Sequence, residues 1–206
     1  VDVVGICIPG FVDPRTGVSA LAENIPGWRD VALRERFSAA FGRTIVVDDS
    51  SRAWVRAELR IGANRNRRDT LLLDLGYGIG MGIVASGTLH AGSAWRAGEI
   101  GHTVVQPGGP PCRCGSRGCL EAVASGRAIG EQARECILAG TSSLLRDLVH
   151  GEAASVTAQD VAVAARMGDA FAADLLRSAG TVIGIALANA VNILNPSLVI
   201  LAGGLV

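Results

Sequence analysis

Glu99-Ile-Gly-His102, followed by Cys112-Arg-Cys114-Gly-Ser-Arg-Gly-Cys119-Leu-Glu121, is the stretch on which the reading of this chain turns. Zinc takes four soft or borderline ligands at the corners of a tetrahedron, and one imidazole with three thiolates supplies that set. The prolines from Pro107 to Pro111 and the glycines at 115 and 118 make a tight, irregular loop. Such a loop has too few apolar side chains to pack itself, so a bound ion would contribute much of its order. Four protein ligands leave no open coordination position, so His102, Cys112, Cys114 and Cys119 read as a closed structural site rather than a catalytic one. C-x-C spacing beside a histidine suits a metal better than a disulfide framework, and reduced thiols point to the cytoplasm. Cys7 and Cys136 lie in apolar surroundings and read as core residues.

Outward from this loop the pattern is α/β. Upstream, Thr70–Leu75 reads as a strand leading into a glycine-rich hairpin with Gly76, Gly78, Gly80 and Gly82. On spacing alone, a ligand-binding turn and a tight hairpin without a ligand are equally good readings of these glycines. Further back, Val3–Pro9 is apolar throughout, as a strand buried on both faces would be. Loops are expected at Pro9-Gly10 and Asp13-Pro14, then a helix over Val31–Phe41 capped by Asp30 and stopped by Gly42. Thr44–Val47 reads as a second strand, and Arg52–Ile61 as a helix ending at Gly62. Downstream of Leu120 the expectation is mainly helical, with Thr157 and Asp160 as a capping box and a long helix over Ala170–Leu194 before Pro196. Leu198–Leu201 reads as a buried strand. The polar, basic run Asn64–Arg68 marks the expected lobe boundary, with residues 1–68 in a first α/β lobe and 69–206 in a second that carries the metal loop and the helices.

The chain has 206 residues, 49% hydrophobic, with 19 basic and 19 acidic side chains and no net charge. That supplies a core for one large or two small domains and gives no electrostatic footprint for gripping DNA. No uninterrupted apolar run reaches the roughly 18 residues of a membrane span, so no membrane is expected. Val1–Pro9 lacks a basic n-region and a cleavage site, and reads as a strand rather than a signal peptide. Both termini fall beside strands, which reads as a longer protein truncated at each end. Trp28 and Trp54 read as packing anchors.

The metal loop, read with Ile8-Pro-Gly10, Val12-Asp-Pro14, Asn24-Ile-Pro-Gly-Trp28, Leu75-Gly-Tyr-Gly-Ile-Gly-Met-Gly82 and Leu201-Ala-Gly-Gly204, resembles the ROK family, which groups sugar kinases with sugar-responsive transcriptional repressors. The resemblance covers nearly the whole chain, and its E-x-G-H and C-x-C-G-x-x-G-C-x-E parts are complete here. It implies an actin-like, ribonuclease-H-like fold of two lobes, and a homodimer or homotetramer. It also implies that Asn24, Glu99, His102 and Glu121 hold sugar hydroxyls, with Asp49 in the place of an Asn. His102 would then offer one ring nitrogen to zinc and the other to the sugar. Gly76, Tyr77, Gly78, Gly80, Gly203 and Gly204 would lie at the phosphate and nucleotide site.

A sugar kinase needs a carboxylate to take the proton of the acceptor hydroxyl. In the kinases that the chain resembles it is the Asp of an E-N-D-A-N segment, which here corresponds to Asp48-Asp49-Ser50-Ser51-Arg52. The base position is therefore Ser50, and serine has no proton affinity to offer at neutral pH. Asp49 stays open as a substitute, through a one-residue shift or by reaching from the neighbouring position. Tyr77 also stands where the kinases carry a Thr. The expectation is thus the sugar-binding effector domain of a regulator without kinase activity, reaching DNA only through a helix-turn-helix outside this chain. An ATP- and magnesium-dependent sugar kinase is the alternative, and a zinc-clipped oligomerisation module without a ligand is the third reading.

Overall fold

The computed structural model describes residues 2–62 and 67–206, so residues 64–66 of the expected lobe boundary lie outside the described residues. The chain divides into two compact units. The first comprises Val1–Leu73, Met81–Glu99 and Pro196–Ile200; the second comprises Asp74–Gly80, Ile100–Asn195 and Leu201–Val206.

The first unit opens with β1 (Val3–Ile8), which pairs in parallel with β5 (Thr44–Asp49), Val3 opposite Thr44 and Ile8 opposite Asp49. Parallel neighbours need a long connection. Here it is an antiparallel sheet of β2 (Phe11–Asp13), β3 (Val18–Leu21) and β4 (Arg29–Ala32), followed by helix α1 (Leu33–Phe41). This three-stranded sheet is absent from the sequence reading. Its strands have three or four residues each, too short for an alternation to stand out. It also displaces the expected cap. Asp30 sits within β4 at φ +50°, and α1 begins after Ala32 with no side-chain cap. Gly42 closes α1 in the left-handed conformation, as expected. Ile8, Val12, Ala22, Leu33, Ile45 and Val47 form the core of this unit, with Trp28 packed against it and bonded through Nε1 to Ser19 Oγ.

Three further expectations fail in this unit. β1 is not buried on both faces, because Val3, Gly5 and Cys7 alternate with more buried neighbours and are exposed. Cys7 is exposed and therefore not a core residue. Trp54 also remains 39% exposed, on the outer side of α2, and is no packing anchor.

Helix α2 (Ser50–Ile61) starts two residues before the expected Arg52, because the Asp49 side chain accepts the Arg52 amide and caps it. Strands β6 (Thr70–Leu75), β7 (Ile79–Ala85), β8 (Thr88–Leu89) and β9 (Leu198–Ala202) form a sheet in the order β8-β7-β6-β9. In the first unit Gly82 lies against α2, where an added Cβ would come within 2.7 Å of the Val55 side chain. That glycine is therefore required by helix-on-strand packing.

The second unit is mainly helical after Leu120, as expected: α3 (Leu120–Ala124), α4 (Gly126–Leu138), α5 (Leu145–Leu148), α6 (Ala158–Arg166) and α7 (Ala170–Leu194). Helices α3, α4 and α6 pack on α7. Thr157 and Asp160 form the expected reciprocal capping box. Although Asp174, Arg177 and two asparagines interrupt α7, its mean hydropathy over the most apolar window is 1.5. It is thus the one helix among the described residues long and apolar enough to cross a membrane, and 17% of that window is buried.

Candidate functional site

The loop between His102 and Cys119 folds on itself through short-range backbone bonds. Val105 N–H donates to Gly118 C=O at 2.9 Å, Gly118 N–H to Pro110 C=O at 2.8 Å, and Cys112 N–H to Ser116 C=O at 2.8 Å. Gly118 must be glycine: at φ +69° an added Cβ would lie 1.7 Å from the Gln106 carbonyl oxygen. Leu120 N–H donates to Thr103 C=O, which sets Cys119 beside the short 3-10 turn Ile100–His102.

The result brings one ligand atom from each of His102, Cys112, Cys114 and Cys119 to within 4.8 Å of all the others. His102 Nδ1 lies 3.7 Å from Cys112 Sγ, and Cys114 Sγ lies 3.7 Å from Cys119 Sγ. Metal–sulfur bonds of about 2.3 Å and metal–nitrogen bonds of about 2.0 Å at tetrahedral angles require S···S near 3.8 Å and N···S near 3.6 Å. The donor set and its spacing therefore fit a four-coordinate ion, and the group could hold one. A disulfide would need sulfurs about 2.05 Å apart. Burial pushes the Cys112 thiol up to about 12 and also raises that of Cys119. These two buried thiols thus resist ionising until a cation supplies the compensating charge.

Glu121, on the other side of this loop, is not a solvated carboxylate. It is 8% exposed, and its Oε2 accepts the Ile79 amide at 3.0 Å. Gly101 makes room for this approach, since a Cβ there would lie 2.2 Å from the Ile79 carbonyl oxygen and 3.4 Å from Glu121 Cβ.

The glycines expected at a phosphate site also converge in the second unit. Gly203, at φ +106°, crosses the end of β6 so closely that a Cβ would lie 2.3 Å from the Leu75 carbonyl oxygen. The turn that follows holds it there, with Leu205 N–H donating to the same carbonyl at 2.9 Å. Gly126 N–H and Arg127 N–H, in the first turn of α4, donate to the carbonyls of Gly76 and Tyr77. Gly76 N–H is itself given to Gly78 C=O, and Ile79 N–H to Glu121, so two amides of the hairpin are spent inside the chain. Tyr77 is 58% exposed, with the Arg113 guanidinium 5.9 Å from its ring centroid. Arg127, which the sequence reading passed over, is a nearly buried cation paired with Glu131 through Nη1 at 2.6 Å. Its Nε and Nη2 have no hydrogen-bond partner.

The remaining candidates belong to the first unit. Asn24 lies in the turn between β3 and β4, and Asp49 ends β5 beside Ile8. Asp49 Oδ1 accepts the Arg52 amide at 3.0 Å, and desolvation raises its carboxyl above the ordinary Asp range. Ser50 follows as the first residue of α2. Asp48 is 8% exposed and ion-paired: Oδ1 with Arg52 Nε at 2.8 Å, Oδ2 with Arg56 Nη2 at 3.3 Å. Glu99 ends the loop after β8, next to Gly98, whose carbonyl accepts the Met81 amide at 2.9 Å. Trp95, in the same loop, has φ +58° and gives its carbonyl to Arg52 Nη1. Arg52 and Trp95 were not among the sequence candidates. The Asp-to-Arg spacing of four at a helix start was the legible signal for the ion pair, whereas nothing local signals the bond to Trp95, 43 residues away.

These observations can now be set beside known proteins. The model of the ROK family matches residues 1–206. A glucokinase of Thermotoga maritima is 38% identical over 202 residues, which is 98% of this chain and 63% of that protein. The DNA-binding transcriptional repressor Mlc of Escherichia coli K12 is 34% identical over 206 residues, 98% of this chain and 48% of that protein. Among solved structures, the ROK family glucokinase of Streptomyces griseus with glucose and AMPPNP matches with a TM-score of 0.90 at 34% identity, covering 99% of this chain and 66% of that one. The chain spans less than two thirds of the length of these curated relatives. Its fold is that of the actin-like sugar kinases, and both kinases and repressors stand among its relatives at similar distance. The chain belongs to the ROK family.

Proposed function

We propose that this chain is the sugar-binding effector part of a ROK regulator that does not phosphorylate its ligand. The observation that carries the reading is the end of β5, where Ser50 opens α2 at the kinase base position and Asp49 Oδ1 is committed to capping the helix. Serine cannot take the proton of an attacking hydroxyl at neutral pH. On this reading Asn24, Asp49, Glu99, His102 and Glu121 hold sugar hydroxyls, because carboxylates and amides can both accept from and, for the amide and imidazole, donate to them. His102 faces Cys112 through Nδ1, and on this reading its Nε2 serves the sugar. The ion is zinc, held by His102, Cys112, Cys114 and Cys119, and its part is structural. Sugar acts by binding two states of the protein unequally, and DNA is reached through a helix-turn-helix elsewhere in a cytoplasmic homodimer or homotetramer.

A second reading is supported by the comparisons: two glucokinases at 38% and 39% identity stand slightly above the repressor at 34%. In that case ATP and magnesium would lie at Gly76, Tyr77, Gly78, Gly80, Gly203 and Gly204, with Asp49 as the base. The deciding experiment is a coupled phosphorylation assay on the full-length protein with glucose, N-acetylglucosamine, mannose and xylose, run beside calorimetry. Binding of one sugar without turnover is expected, and turnover at a typical kinase rate of about 1–100 per second would replace the first reading by the second. In the same assay Ser50→Asp is expected to raise turnover above that of the unmodified protein.

A further inference from the structure

Arg52 stands where the kinase segment resembled by residues 48–52 ends in Asn, so its role is not the one that Asn would have. It is 2% exposed, and its guanidinium reaches three segments, two of them remote in sequence. Nε donates to Asp48 Oδ1 at 2.8 Å, Nη2 to the Val12 carbonyl at 3.0 Å, and Nη1 to the Trp95 carbonyl at 2.5 Å. The first acceptor is at the end of β5, the second on β2, and the third in the loop that runs from β8 to Glu99. Each nitrogen of the guanidinium is thus engaged within the chain, which suits a strap rather than a group that grips substrate.

The segment it holds is under strain. Trp95 has φ +58°, a region a bulky aromatic residue enters only when its surroundings hold it there. Two further arginines bind the same loop to β2 and its turn: Arg15 lies 5.5 Å from the centroid of the Trp95 ring, and Arg96 lies 4.3 Å from that of Phe11. The loop ends are fixed by Ala97 N–H on Ala91 C=O and Met81 N–H on Gly98 C=O. Arg52 ties its middle to the strand end that carries Asp49.

We propose that Arg52 is a positioning residue for sugar binding: it locks the Trp95 loop to the end of β5, and so fixes Asp49 and the approach to Glu99 in one arrangement within the first unit. This rests on the sugar-binding reading given above. A ligand that bridges Asp49 and Glu99 then meets a site already ordered, and does not have to supply the ordering itself. A lysine at 52 keeps the charge but has one ammonium in place of a planar fork, so it cannot serve acceptors in three directions.

The test uses the full-length protein with Trp28→Phe and Trp54→Phe, so that Trp95 alone of the three tryptophans in this chain reports, and compares Arg52→Lys with Trp95→Gly. Sugar affinity is measured by calorimetry with glucose, N-acetylglucosamine, mannose and xylose, alongside metal content and quenching of the Trp95 emission by acrylamide. Arg52→Lys is expected to weaken sugar binding by about tenfold or more and to make Trp95 more quenchable, with metal content unchanged. Trp95→Gly, which keeps the carbonyl and relieves the backbone, is expected to stay within about threefold of the unmodified affinity. Sugar binding by Arg52→Lys within about twofold of the parent overturns the proposal. If the parent binds none of the four sugars, the sugar-binding reading fails and takes this inference with it. Should Arg52→Lys not fold, hydrogen exchange in the parent decides. Slow exchange across residues 91–98 without sugar, little changed when sugar is added, supports the proposal, and fast exchange that slows only on adding sugar overturns it.

Discussion

Cys114 and Gly203 show how differently single side chains can matter. Cys114 is the exposed member of a four-ligand group, and its loss leaves three ligands around any ion. Cys114→Ala is expected to bring bound metal well below one per chain by elemental analysis and to lower the melting temperature. Metal retained at full occupancy would remove this ligand assignment. Gly203 matters through space: at φ +106° and 2.3 Å from Leu75 O, a methyl group has neither a conformation nor a place. Gly203→Ala is expected to destabilise by roughly 2–4 kcal/mol, read from denaturant unfolding. The ligands were legible because zinc asks for particular atoms at short sequence spacing. Arg52 was not, since its acceptors are backbone carbonyls up to 43 residues away, and any residue type offers a carbonyl. Its ion pair with Asp48 is buried on both sides, so removing Arg52 leaves Asp48 with the more exposed Arg56 as its charged partner and would cost up to about 3–5 kcal/mol.

At the level of elements, the long helices declared themselves and the short strands did not. The capping box of α6 was readable from Thr157 and Asp160 because the two side chains answer each other's backbone amides three residues apart. Thr157→Ala removes one half of that exchange and is expected to cost about 1 kcal/mol, seen as a lowered melting temperature with no change in bound metal. The β2-β3-β4 sheet escaped because Pro9-Gly10 and Asp13-Pro14 carry turn signals that are correct, yet the residues between them pair as strands. Asp30 illustrates the competition: a good capping type by itself, it was overruled when β4 paired with β3 and carried the chain directly into α1. The apolar run of β1 predicted two covered faces, and the chain covers one. Hydrophobicity reports what a strand can bury, whereas burial depends on what arrives to cover it.

For the molecule as a whole, the metal loop makes stability conditional on solution chemistry. Before an ion binds, Cys112 holds its proton up to about 12, so binding near neutrality must expel it. The folded, metal-free pKa is raised by burial, and the protonated thiol is therefore the form favoured at low pH. Ion binding opposes that preference and strengthens as pH rises. Metal affinity is expected to rise roughly tenfold for each unit of increase in pH per thiol proton displaced, as a competition titration with a chromophoric chelator between pH 6 and 8 would measure. A pH-independent affinity would mean that the thiols are not the ligands. Family and fold were readable at this scale from the loop and the glycine pairs, while the choice between kinase and regulator rests on one position, Ser50. The last consequence comes from α7, whose Ile185, Ile193 and Leu194 leave apolar side chains exposed to water. Expressed as these 206 residues alone, the polypeptide is expected to take up a dye such as anilinonaphthalene sulfonate and to sediment faster as it is concentrated. Anyone purifying it in this form should plan for stickiness, and should choose dilute samples over long storage.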